Sequence, residues 1–174
     1  KLEEAKNAGQ QAISCFREEG HSYLEHFIHI HLADLDVIEG RLRRAMRGLS
    51  TAKRCLANSG LSYGNEVEVI EIIELAILYE RGNFKKVREN SARLRESLLK
   101  GDSWSELFLQ LTRISVLSIY FIHGLQAAQE ELEIFQADYV RRHAERASTI
   151  DILSGMIWRL EWNTNEAELY INSL

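Results

Sequence analysis

The chain is 174 residues long, 45% hydrophobic and 27% charged, with a formal net charge of −5 and no proline. It carries enough apolar material to bury a substantial core, and the lack of proline suits long uninterrupted helices. The acidic balance argues against gripping nucleic acid through its phosphates. With no secretory signal and no apolar run of membrane-spanning length, the expectation is a cytoplasmic protein without nucleic-acid or membrane contact.

The chain opens inside a helical run, with Leu2, Ala5, Ala8, Ala12 and Phe16 at helical spacing, and this predicts a helix over 1–19. Further helices are predicted over 21–39, 41–58, 65–81, 83–99, 104–123, 125–141 and 144–162, with a last one over 164–174. The breaks fall near Gly20, Gly40, Gly60 to Gly64, Gly82, residues 100–103, Gly124, 141–143 and 162–165. Glycine at such a point ends a helix, because it takes the left-handed conformation without a Cβ clash. Asn65 and Ser103 are the predicted N-caps, each with an acidic residue in the turn that follows. Both ends lie inside helical patterns, so residues 1–174 read as a single helical-repeat domain within a longer protein.

The breaks at Gly40, Gly82 and Gly124 stand at equal intervals of 42 residues, and Asn163 follows 39 residues later. A period of about 42 residues, helical on both sides of each break, predicts an all-α fold: an α-solenoid of antiparallel helix pairs. One hairpin cannot bury its own apolar face, so exposed end repeats would favour self-association.

After Gly40, Ala45, Leu49 and Ala52 stand five, nine and twelve residues on, and after Gly82 the same offsets hold Val87, Ser91 and Leu94. With a one-residue shift, Ala128, Leu132 and Phe135 follow Gly124. This resembles the second helix of a tetratricopeptide repeat, in a longer form, so the expected solenoid is a tetratricopeptide-like superhelix. The run from Tyr63 to Val87 is more specific. Its step from Leu78 to Phe84, Leu-Tyr-Glu-Arg-Gly-Asn-Phe, resembles a phrase of the repeat region of MalT-like, LuxR-type bacterial transcriptional regulators, as does Gly101-Asp-Ser-Trp104. The resemblance implies a signal-sensing module lying between an ATPase and a helix-turn-helix, binding a small-molecule effector or a regulatory protein and controlling self-association. No G-x-x-x-x-G-K-S/T loop occurs in this chain, so no nucleotide or other cofactor is expected in this segment.

His26, His29 and His31 lie close to Asp34 and Asp36, but His31 falls about 200° around a helix from His29, and no metal is expected. No Ser-His-Asp or Cys-His arrangement follows from spacing, so catalysis is not expected. Cys15 and Cys55 read as buried or half-buried free thiols of a reducing compartment. The columns three and ten residues before each break hold Val37, Tyr79 and Phe121, and Ile30, Ile72 and Ile114, and read as packing. The columns four and eleven before it are mixed: Asp36, Tyr120 and Arg159; His29, Glu71 and Arg113. With Trp104 and Trp162, these residues form the expected ligand or partner groove. The leading expectation is the effector-binding repeat domain of a LuxR-type regulator. The alternative is a generic scaffold binding a peptide or partner helix.

Overall fold

The structure, a computed structural model, describes residues 1–60, 65–100 and 105–142. They form α-helices and, among the described residues, no strand: α1 (Leu2–Glu18), α2 (Ser22–Ile38), α3 (Leu42–Ser59), α4 (Glu66–Glu80), α5 (Phe84–Lys100), α6 (Ser105–His123) and α7 (Leu125–Arg142). The all-α class is as expected, and these helices begin and end within one residue of their predicted bounds. The helices predicted over 144–162 and 164–174, the Ser103 cap and Trp104 lie outside the described residues. The chain divides into two compact units, Lys1–Gly82 and Asn83–Leu174.

Gly40 shows how a break is made. Its φ is +73°. Its N–H donates to the Val37 carbonyl at 2.9 Å, and the Arg41 N–H donates to the Asp36 carbonyl at 2.7 Å. These paired bonds satisfy two carbonyls that the end of α2 leaves open, and they reverse the chain into α3.

In the first unit α1 lies against α2, α2 against α3, and α4 against both α2 and α3. The core joins Ile30 and Ala33 of α2, Ala45, Leu49 and Ala52 of α3, and Ile70, Ile73 and Ile77 of α4. Small residues let α2 and α3 approach closely: a Cβ added at Gly48 would stand 3.3 Å from the Ala33 Cβ and 3.6 Å from the His29 carbonyl oxygen. Even a methyl group at Gly48 would require Ala33 to give by a few tenths of an ångström.

The same unit buries charge. Lys6 of α1 is 4% exposed and its Nζ lies 3.3 Å from Asp36 Oδ1 and in contact with Glu39 Oε2. Asp36 Oδ2 pairs with Arg44 Nε at 3.1 Å, and Glu39 Oε2 with Arg41 Nη1 at 3.1 Å. Three helices are therefore tied at one point. The hydrogen bond from Lys6 holds the Glu39 carboxyl below the usual carboxylate range, with Arg41 and Arg44 adding to it.

In the second unit α6 packs against both α5 and α7. Val116, Ala128 and Leu132 form a buried cluster, and the Phe108 ring meets Phe135 at 5.4 Å and Tyr139 at 5.8 Å. Arg95 of α5 places its guanidinium 5.0 Å above the Phe135 ring and pairs with Glu131 at 3.5 Å and Asp138 at 3.6 Å. A cation over an aromatic face, flanked by carboxylates, fixes α5 on α7.

All nine positions of the offset pattern, from Ala45 to Phe135, are buried to 3% exposure or less. Three local expectations need correction. Asn65 stands at the N-cap of α4 but makes no side-chain capping bond there, its backbone being at φ −92°, ψ 17° rather than the extended region a cap adopts. Cys15 is exposed, because α1 packs on one side only; Cys55 is buried. Phe121 is 57% exposed, since one ring face stacks on Phe84 at 5.0 Å while it sits at the open end of α6.

Two outcomes follow for stability. Nothing lies within 4 Å of a Cβ added at Gly40, so Gly40→Ala should cost only the left-handed conformation, about 1–2 kcal/mol, with Gly40→Asn costing less; thermal denaturation measures both. Lys6→Met leaves the buried Asp36 carboxylate short of one partner and should cost about 3 kcal/mol in urea denaturation, the low end for a broken buried pair because Arg44 remains. Since the folded Glu39 carboxyl ionises below its ordinary value of 4.5, its contribution is present above that pH and is lost as pH falls further. Lys6→Met should flatten this acid limb of the stability curve.

Candidate functional site

The densest run of like charge in the chain begins at the turn between α2 and α3. Arg41 precedes α3, Arg43, Arg44 and Arg47 occupy its first two turns, and Arg81 follows the end of α4. Together with Gly40 and Leu42 they line a solvent-open cleft of about 780 Å³. Helical spacing explains the cluster, since residues three and four apart share a face and bring Arg43, Arg44 and Arg47 to one side.

The charges are not equivalent. Arg44 is held by Asp36 and Arg41 by Glu39. Arg43, Arg47 and Arg81 are exposed and have no ion-pair partner among the described residues. The first turn of α3 contains no acidic residue, and no side chain caps its N–H groups. The positive end of the helix dipole therefore adds to the arginines instead of opposing them. Guanidinium groups fork onto carboxylates and phosphates with two parallel hydrogen bonds, so the arrangement suits an anion.

The groove residues expected from the sequence fall into three groups. In the first unit, Asp36 is buried in the Lys6 network, where it orients Arg44 of the cleft; His29 is half-buried on α2, and Glu71 is half-buried on α4. In the second unit, Arg113 is exposed on α6, whereas Tyr120 is half-buried against the Val116–Ala128–Leu132 cluster. Arg159, Trp104 and Trp162 lie outside the described residues. The three α2 histidines separate as helical geometry requires: His26 is fully buried, His29 half-buried and His31 exposed. Burial holds the His26 and His29 rings below the ordinary histidine range; for His29 the Glu25 carboxylate, 3.5 Å away, opposes that shift.

The arginine cleft was not among the expected site residues. Its signal, four arginines between positions 41 and 47, is visible in the sequence but also reads as the solvated face of an outer helix. What distinguishes the two is Arg81, brought beside α3 from a turn 34 residues beyond Arg47. No described helix is long and apolar enough to cross a membrane. The chain matches no family model, no curated protein and no solved structure.

Proposed function

We propose that this chain is a non-enzymatic ligand-binding module, the effector-sensing repeat region of a cytoplasmic LuxR-type, MalT-like transcriptional regulator, and that its ligand presents an anionic group to the arginine cleft. The observation that carries the anion is the convergence of Arg43, Arg47 and Arg81, without ion-pair partners among the described residues, on one open cleft. The regulator context rests on the Leu78–Phe84 phrase and on helix pairs broken by glycine at 42-residue intervals. In this reading the pairs continue as a tetratricopeptide-like superhelix, and a ligand acts by population shift. It binds one arrangement of the repeats more tightly than another and thereby alters self-association.

The openness of the cleft favours a second reading. An acidic segment of a partner protein would reach all five arginines without being enclosed, which is how a scaffold recognises a charged peptide.

Calorimetry with inorganic pyrophosphate and with an oligoglutamate peptide separates the two. A small effector site saturates with pyrophosphate at one equivalent, and Arg47→Ala weakens it about ten-fold, one charge-assisted hydrogen bond being worth about 1.5–3 kcal/mol. A scaffold instead prefers the peptide, with affinity falling steeply as salt rises. Arg113→Ala, remote in sequence, should change neither. Absence of binding by both probes would remove the anion from the proposal. The regulator context is tested separately by reading the parent frame for a phosphate-binding loop upstream and a basic helix-turn-helix downstream.

A further inference from the structure

At the end of the α2–α3 hairpin away from the arginine cleft, three different metal-ligating side chains meet. Glu25 and His29 stand one helical turn apart on α2, and Cys55 comes from the last part of α3. One carboxylate oxygen, one imidazole nitrogen and the Cys55 sulfur all lie within 4.8 Å of one another. Glu25 and Cys55 are each 7% exposed. His29 Nε2 lies 3.5 Å from Glu25 Oε1, is shielded from solvent, and has no satisfactory hydrogen bond.

We propose that Glu25, His29 and Cys55 form a binding site for a divalent ion of the zinc class. The donor set of one thiolate, one imidazole and one carboxylate matches zinc, which accepts all three and adopts tetrahedral geometry readily. Tetrahedral bonds of about 2.0–2.3 Å separate ligand atoms by about 3.5 Å, so small side-chain adjustments close the cluster around an ion. Three protein ligands leave the fourth position to water.

Arg17, at the end of α1, donates to Glu25 Oε1 through Nε at 3.2 Å and also through Nη2. It neutralises the carboxylate when no ion is bound and orients it when one is, as hydrogen bonds to metal-ligating carboxylates commonly do. On binding, the Cys55 S–H bond is replaced by a sulfur–metal bond and one proton leaves to solvent; thiolate and carboxylate then offset the two charges of the ion, and the Arg17 charge, 63% exposed, is left to solvent. His29 Nε2, shielded from solvent and without a hydrogen-bond partner, faces the other two ligand atoms. His26, one residue from Glu25, lies outside the cluster and serves the α2 core.

Cobalt(II) titration of the full 174-residue chain, followed through the near-ultraviolet thiolate-to-cobalt charge-transfer band, tests the site. The expected result is a band saturating at one equivalent and abolished by one equivalent of zinc. It is retained in Cys15→Ser, lost in Cys55→Ser and shifted to weaker binding in His29→Gln. Arg17→Met, which removes the orienting donor, should weaken binding about ten-fold or more. Circular dichroism confirms that each variant keeps its helices; if Cys55→Ser does not, His29→Gln and Glu25→Gln carry the test. A band that vanishes in Cys15→Ser, or no band at all, overturns the proposal.

Discussion

Charge buried at both ends of α2 constrains how the first unit assembles. At its C-terminal end Asp36 and Glu39 take Lys6 from α1 and Arg44 and Arg41 from the start of α3. At its N-terminal end Glu25 takes Arg17 from the end of α1. An apolar stripe alone tolerates sliding of one helix along another, because burial is non-directional. A lysine that is 4% exposed does not: any shift of α1 along α2 leaves an uncompensated charge indoors. The ion pairs therefore set the register, and the alanine and isoleucine core supplies the drive.

That constraint shapes the proposed ligand site. Arg44 and Arg41 are committed to holding the hairpin, which leaves Arg43, Arg47 and Arg81 to face an incoming anion. A cleft that mixes anchored and unengaged arginines is partly preorganised, and less side-chain entropy is lost when a ligand arrives. The Asp36 carboxylate thus belongs to the cleft only indirectly, by fixing one of its walls.

Helix boundaries were legible in the sequence because glycine acts locally. Gly20, Gly40, Gly82 and Gly124 all adopt positive φ where the pattern breaks, and that choice depends on few neighbours. The stripe at Ala45, Leu49 and Ala52 was legible for the same reason, since it lies on one face of one helix. Charged residues were not. Asp36 and Arg113 stand in similar mixed columns, yet Arg113 is exposed while α1, packing on α2, buries Asp36 beside Lys6. The cluster at Cys55 was hidden likewise: its partners Glu25 and His29 lie across a turn on another helix, and the spacing of the three histidines along α2 carries no information about what α3 brings to them. The cap expected at Asn65 fails on backbone angles that no residue identity specifies.

The arginine cleft and the metal cluster occupy opposite ends of one hairpin. Along α3, Arg47 and Cys55 stand eight residues apart, roughly 12 Å at about 1.5 Å per residue, somewhat beyond the roughly 8 Å over which exposed charges act at physiological salt. Direct electrostatics between an ion bound at Glu25, His29 and Cys55 and an anion at Arg47 is therefore weakened by salt. A second route is the α2–α3 contact itself, where Gly48 packs closely on Ala33 and the His29 carbonyl. That contact begins at the backbone of the residue whose side chain faces the metal cluster. It is the place where a change in α2 at one end becomes a change in the start of α3 at the other.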